Sequence, residues 1–500
     1  MKKIIKFAIN QETEKIHEES FAIPHELETL YIEIKRSEEC CYSCYMGFIL
    51  LWDETGAIRL QKLLGYGEQK LAVGLDGMHT TIGGVPGKIS VGNWKISLGI
   101  FEEYVKQNLE GKEATIEVVI TDEISEITEP IGEHIWVEEG KVKISPQKYD
   151  WNKVYQREEK WYKGDFHTHT RLSDGKETVR HAMEKAKNMD MNFYVPTEHN
   201  LMHTGWCETD LCILPGIEIT TDKGHFNLFG ITEMPEKLLD IVKTNGTPKV
   251  DEYVEETIKE ANQKGWIVSL NHPFLTIWKW LYEKTRIDDF QCVEIINDPT
   301  YQDATPSNEK AIQFLDALWK DGHKICGIGG SDSHNLIEER YAGADLPSIA
   351  GDPGTFVYCE ELSPRSLMEN VRKRHVCVTR FCRIEPEISI NGRQYLPGDE
   401  ITEKENAVLI YGAKIFDLKE RPEVYLVKNG EKQKITAHSE EGYYYICEEV
   451  VMNLQEWNWV RLEVRKKDGT FLGYVNPVYC GYYEPECTTV EEIWSKMEDN

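Results

Sequence analysis

YKGDFHTHTRLSDG, residues 162–175, sets His167 and His169 two apart at the end of a short apolar–polar alternation, with Asp174 soon after. A strand sends residues i and i+2 to the same face. Two imidazoles side by side make poor core and good metal ligands. Whether this pair heads a site depends on what the rest of the chain sets beside it.

Four later apolar runs end in the same manner. NFYVPTEHN (192–200) closes on Glu198 and His199, and CILPGIEITTDKGHFNLFG (212–230) carries Glu218 and His225. WIVSLNHP (266–273) supplies His272, and KICGIGGSDSH (324–334) supplies Asp332 and His334. Helical patterns lie between and after them: KETVRHAMEKAKNM (176–189), VDEYVEETIKEANQKG (250–265), TPSNEKAIQFLDALWKDG (305–322) and SPRSLMENVRKRH (363–375). The last has Ser363 as N-cap and Pro364 at N1, a proper helix start. Strand–helix alternation over about 156–382 predicts a parallel α/β domain. In a barrel of parallel strands, the loops after the C-terminal strand ends build the active site. Five strands would then deliver their polar ends to one mouth.

Taken singly, each residue has an ordinary explanation. His272 reads as a hydrogen-bonded loop residue, Glu218 as a surface carboxylate or helix cap, and Asp174 before Gly175 as a turn pair. Taken together, six of fifteen histidines follow apolar strands of one domain, with three carboxylates among them. That joint placement reads as a metal site. His181, His203, His323 and His375 lack it and read as structural or solvated. Imidazoles and carboxylates without thiolates suit Zn²⁺, Mn²⁺ or Fe²⁺. The donors outnumber what one tetrahedral ion can use, so two or three divalent ions are expected, with a carboxylate such as Glu218 bridging. Ions so placed lower the pKa of a bridging water, aim its attack and clamp a tetrahedral or phosphoryl intermediate.

Composition narrows the rest. Five hundred residues exceed one hydrophobic core. The net charge of −29 argues against a nucleic-acid partner. Thirteen cysteines, an odd number, are scattered through every region; no signal peptide or transmembrane run is apparent, so a reduced, cytoplasmic protein is the economical reading. Cys40, Cys41 and Cys44 lack a second ligand pair at zinc spacing and read as ordinary thiols. Residues 1–155 have strand texture and predict an N-terminal β-sandwich; residues 383–500 predict a second sandwich-like domain with a short acidic tail. Trp94, Trp457 and Trp459 read as sandwich core.

FHTHTRLSDG, TEHN, PGIEIT…GHFNLFG, NHP and GSDSH resemble the successive motifs of the PHP (polymerase and histidinol phosphatase) family. GHFNLFG, the flanking β domains and VPGKISVGNWKISLGIF (85–101) resemble its CehA/McbA branch of metallohydrolases. The resemblance implies a distorted (β/α)7 barrel over 156–382 and phosphoester hydrolysis at a two- or three-metal centre. It assigns His167, His169, Glu218 and Asp332 to one ion, Glu218, His225 and His272 to a second, and Asp174, His199 and His334 to a third. The family usually carries Asp before its second-motif histidine; Glu198 stands there, which puts that carboxylate's geometry in doubt. The amidohydrolase superfamily is the main confusable fold, but it uses a carbamylated lysine bridge and a solitary final aspartate.

Three divalent ions against Asp174, Glu218 and Asp332 leave a local charge of about +3, which favours an anionic phosphoester. The expected reaction is attack of a metal-bridging hydroxide on phosphorus in a small phosphorylated metabolite. Asp332 and Arg171 are assigned catalytic roles, and Arg171, Lys223, Arg340 and Arg380 are candidates to contact phosphate. Two other classes stay open: hydrolysis of a carbamate, carboxylic ester or amide at the same centre, and a non-catalytic binding module. The flanking domains either restrict the mouth of the barrel or form a homo-oligomer interface, and the sequence does not choose.

Overall fold

The computed structural model describes every residue except 11, 12, 14, 38–46, 66–68, 102–104, 106–108, 110, 128, 140, 404–406 and 499–500. Cys40, Cys41 and Cys44 lie outside the described residues; the other cysteines are free.

The first part of the chain forms two four-stranded sheets, some strands alternating in burial and others, such as Ile58–Leu63, buried throughout. One orders Lys2–Ile9, Ala114–Thr121, Thr29–Arg36 and Lys70–Gly74; the other orders Ile16–Ile23, Gly92–Ile100, Gly47–Trp52 and Ile58–Leu63. Phe7, Ile32, Leu51, Trp94 and Leu98 meet between them in one apolar cluster.

The central segment is mixed α/β and more irregular than a regular (β/α)7 barrel. Gly216–Thr221, Gly224–Phe229, Ile267–Leu270, Cys292–Asn297 and Cys326–Gly330 form one five-stranded sheet in chain order. Its last three strands run parallel, but Gly224–Phe229 is antiparallel to both neighbours. The cause is local. Only Asp222 and Lys223 separate this strand from the one before it, and a two-residue turn permits a hairpin but no crossover helix. Single parallel bridges, His199 to Glu218, Thr168 to Pro196 and Thr168 to Ser333, link the two edges of the sheet through the HxH segment.

Helices cover the outside. Val179–Asn188 starts at Thr178, whose hydroxyl accepts from His181 N. Lys249–Lys264 ends at Gly265 in the left-handed conformation (φ 70°), which glycine adopts without strain. Ala304–Lys320 and Pro364–Arg372 follow, the latter capped by Ser363. Among the described residues no helix is long and apolar enough to cross a membrane.

The boundary expected at 382/383 is bridged by a sheet. Lys160–Gly164, Gly354–Cys359 and Val376–Thr379 continue directly into Phe471–Cys480, Asn458–Arg465, Glu423–Lys428 and Glu431–Ile435. A second, five-stranded sheet packs on this one. Trp459 and Trp457, expected in the sandwich core, lie instead on the opposite face, Trp459 buried and Trp457 half-buried against Trp319 of the 304–320 helix. Arg461, buried, holds Asp316 of the 304–320 helix through two bonds of 2.7 Å. The segment read as an acidic tail is instead the helix Val490–Glu498, with Val490 and Ile493 buried and Trp494 and Met497 against the core. Those four positions repeat at i, i+3, i+4 and i+7, the spacing of one helix face.

Candidate metal centre

The polar strand ends meet. Glu218 is fully buried at the middle of the cluster. Its Oε1 lies 3.2 Å from His167 Nε2, 3.1 Å from His225 Nδ1 and 3.7 Å from His272 Nε2. Its Oε2 lies 2.7 Å from His199 Nδ1 and 3.6 Å from His169 Nε2. Asp332 Oδ1 stands 3.1 Å from His169 Nε2, 3.3 Å from His167 Nε2 and 3.5 Å from His334 Nδ1. Asp174 Oδ1 lies 3.2 Å from His334 Nε2 and 3.5 Å from His199 Nε2. All nine residues singled out as donors therefore surround one space.

Four groups of donor atoms are compact enough to hold an ion: His169, Asp174, His199 and His334; His167, His169 and Glu218; His199, Glu218 and His225; and His167, His272 and Glu294. A test of fit comes from the atoms left without partners. His167 Nε2, His169 Nε2, Asp174 Oδ1, Glu218 Oε2 and Asp332 Oδ1 are buried and make no hydrogen bond, although they lie close together. Buried polar atoms without partners cost about 1–3 kcal/mol each. Donor atoms of the side chains in those groups lie within 4.8 Å of one another in sets of three or four, close enough to share a cation. The residues fit divalent metals.

Electrostatics agree. The carboxyls of Asp174, Glu218 and Asp332 are held below the ordinary carboxylate range, because the facing histidines outweigh the opposing effect of burial. Burial, with His334 and His199 nearby, brings His169 down to about 4. At His334 burial also opposes charge, but Asp174 lifts the ring to about 10. Three carboxylates, one buried and two half-buried, facing six imidazoles favour positive charge at the centre of the cluster.

Glu294 carries a role that the sequence reading missed. It is buried inside the strand Cys292–Asn297 and accepts from His167 Nδ1 (3.0 Å), His272 N (2.9 Å) and Asn297 Nδ2 (3.1 Å). With the proton of His167 on Nδ1, its Nε2 lone pair faces the cluster; such carboxylate–histidine pairs orient metal ligands. A charged residue within CVEIIN was the available signal. Asn271 Nδ2 supports Glu218 Oε1 at 2.9 Å. Gly330 leaves room for this layer, since a Cβ there would lie 2.3 Å from both Glu294 Oε1 and His167 Cβ.

Glu198 does not join the cluster. Its carboxylate accepts from Thr170 N (3.1 Å), Ser173 N (3.2 Å), both hydroxyls of those residues, and His203 Nε2 (2.8 Å). It shapes the loop between His169 and Asp174, and the longer side chain reaches those amides. Burial opposes its charge, but His203 and the hydroxyls bring it down to about 2. His203, read as structural or solvated, is its buried partner.

The backbone is left-handed at His272 (φ 28°), Asp298 (φ 27°) and Asp332 (φ 50°). Non-glycine residues rarely sit there, at about 1–3 kcal/mol each. Backbone N–H bonds hold all three in place: His272 N to Glu294, Asp332 N to His167 O (2.9 Å) and Asp298 N to Gly330 O (3.3 Å).

Asp174, His199, His225, His272, Asp332 and His334 line the floor of a cavity of about 540 Å³, which has the dimensions of a small-molecule site; His167, His169 and Glu218 do not line it. None of the four cations proposed for phosphate lines it. Arg171 bonds Lys176 O at 3.0 Å and pairs with Glu129 at 3.4 Å. Lys223 pairs with Asp251 at 2.7 Å, and Arg340 reaches backbone carbonyls of its own loop. Arg380 is buried against Asp352 at 2.7 and 2.9 Å. Spacing along the chain could not show that each had a carboxylate or carbonyl closer than the cavity. Asp298 does line it, 2.7 Å from the Tyr341 hydroxyl that donates to it.

No protein-family model matches the chain, and no curated protein matches it. Among solved structures it is similar to a "putative metal-dependent phosphoesterase" from Bifidobacterium adolescentis, with 16% identity over 37% of this chain and 92% of that one, at a TM-score of 0.26. A likeness so distant decides nothing about chemistry, and the site stands on its own geometry.

Proposed function

We propose that the protein is a metal-dependent hydrolase of small phosphoesters, of the PHP type and its CehA/McbA branch, with two or three divalent ions among Zn²⁺, Mn²⁺ and Fe²⁺. The observation that carries the reading is the close set of five buried donor atoms that make no hydrogen bond, two of which, on Asp174 and Asp332, belong to side chains lining an open cavity. His167, His169, Asp174, His199, Glu218, His225, His272, Asp332 and His334 would hold the ions. Bound there, they would supply a water acidic enough to ionise at neutral pH and positive charge against the phosphoryl oxygens.

The chain's own residues do the rest. Glu294 keeps the His167 proton on Nδ1, and Asn271 steadies Glu218. Burial raises the Asp298 carboxyl to about 6 against the opposing Tyr341 hydrogen bond, so it is mostly ionised at neutral pH and takes up a proton just below it. A group of that pKa lining the cavity suits proton donation to a departing alkoxide. Arg171 keeps only an indirect role, through the loop that carries Asp174.

A second reading has one observation in its favour. Among the described residues lining the cavity, Lys15 is the single lysine or arginine, so a neutral carbamate, ester or amide meets no electrostatic objection. Protein purified without chelator should carry two to three transition ions per chain and lose them in Asp332→Asn or His225→Ala. Rates on an aryl phosphate, a bis-aryl phosphate and an aryl carbamate then rank the substrates. Absence of bound metal, or metal-loaded protein inert toward all three, overturns the proposal.

A further inference from the structure

The cavity has a second half that the chemistry of the floor does not use. Resting on the phosphoesterase reading above, we infer that the substrate carries its phosphoester on an apolar ring or chain, and that the N-terminal β domain forms the wall holding that body. Phe48, Leu63 and Phe101 from this domain line the cavity, and Leu275, Ile277 and Trp278 line it from the central domain. Two edge-on aromatic pairs belong to this lining: Phe48 with Phe101 at 6.1 Å, and Trp278 with Tyr301 at 6.0 Å. Ile277 is 76% exposed, a large apolar side chain left in water at the mouth. It sits on the short turn Thr276–Trp278, whose first residue is a β-branched threonine held left-handed at φ 40°. Strain of that kind persists where something over-determines it, and it clusters at ligand sites.

The wall is fastened to the metal-binding loop. Leu63 N donates to Leu172 O at 3.1 Å. The buried Lys62 ammonium donates to Leu63 O at 2.7 Å, to Leu172 O at 3.3 Å and to Arg171 O. Gly65 packs so close that a Cβ would lie 2.4 Å from Ser173 O. The strand Ile58–Leu63 therefore both presents Leu63 to the cavity and grips the turn that ends at Asp174. A domain docked this way is part of the site's shape.

Charge excludes the common polyanions. Beyond the metal floor the cavity offers Lys15 against Asp222 and Asp298. A nucleoside triphosphate or sugar bisphosphate would set its second phosphate near Asp222, Asp298 or the apolar wall, with Lys15 as the one lysine or arginine among the described lining residues to offset it. A phosphate monoester with an apolar remainder places each part against matching surface.

The test uses metal-loaded full-length protein with 4-phenylbutyl phosphate and methyl phosphate, whose alkoxide leaving groups match. Phe101→Ala and Phe48→Ala should lower the ratio of kcat/KM for the phenylbutyl over the methyl ester roughly 10–100-fold. Ile277→Ser, exposed and harmless to folding, should lower it in the same direction by a smaller factor. Calorimetric titration with 4-phenylbutylphosphonate and methylphosphonate should show the same selective loss without turnover. A wild-type protein that hydrolyses both esters with equal efficiency, and variants whose ratio stays within twofold, overturn this inference alone. Metal-loaded wild type that hydrolyses neither ester and binds neither phosphonate overturns the phosphoesterase reading beneath it.

Discussion

Replacing Glu294 by glutamine keeps the shape of the layer beneath the metal floor and changes its charge and its hydrogen-bonding sense. The carboxylate accepts from three donors: His167 Nδ1 at 3.0 Å, His272 N at 2.9 Å and Asn297 Nδ2 at 3.1 Å. A glutamine has one accepting oxygen and one donating NH₂. If the oxygen serves His272 N and Asn297, the NH₂ faces His167 Nδ1; that ring must then carry its proton on Nε2, pointing at Glu218 and Asp332. If the amide is reversed, two donors are left against a donor. Either way a charge-assisted bond of about 1.5–3 kcal/mol is lost. Metal affinity should fall about 10–100-fold, as for other partners that orient ligating histidines. The assay is a competition titration of Zn²⁺ between apo-protein and a chromophoric chelator, with ¹⁵N shifts of His167 reporting the tautomer. Affinity within twofold of wild type, with the Nδ1 proton retained, would refute the role assigned to Glu294.

Removing metal should lower thermal stability, since the five unpartnered atoms lose their cations; restoring a divalent ion at about a thousand times its Kd should return roughly 4 kcal/mol, read as a rise in Tm. Glu198 has its carboxyl depressed from 4.5 to about 2, so its stabilisation is present above the unfolded value and is lost as pH falls from about 4.5 toward 2. Glu198→Gln should cost on the order of 3 kcal/mol at pH 7 and flatten that acid limb in urea titrations; an unchanged limb contradicts the assignment. Arg461→Met strands the largely buried Asp316 carboxylate and should destabilise by about 3–5 kcal/mol. A loss below 1 kcal/mol in denaturant unfolding would show that this pair does not anchor the 304–320 helix.

Much of the floor was legible in the sequence. Most donors follow an apolar run, so local pattern implied convergence; Glu218 lies inside its strand and His225 near the start of an antiparallel one, and the sheet brings these two to the rest. Glu294 escaped because it lies inside its apolar run rather than after it; its neighbours across the sheet, not its position in the chain, give it a purpose. The sequence also carried the terminal helix in the spacing of Val490, Ile493, Trp494 and Met497, which the surrounding acidic residues obscured.

Residue types and short-range periodicity determined which side chains were fit to bind metal and which strand ends would present them, because strand and helix geometry act over a few residues. Tertiary structure alone decided that Phe48 and Phe101 face a cavity floored by residues far away along the chain. It also decided that Arg171, Lys223, Arg340 and Arg380 are engaged elsewhere. The physical reason is that a long side chain takes the nearest partner in space, and an apolar surface takes whatever packs against it. Neither choice is written in the spacing along the chain.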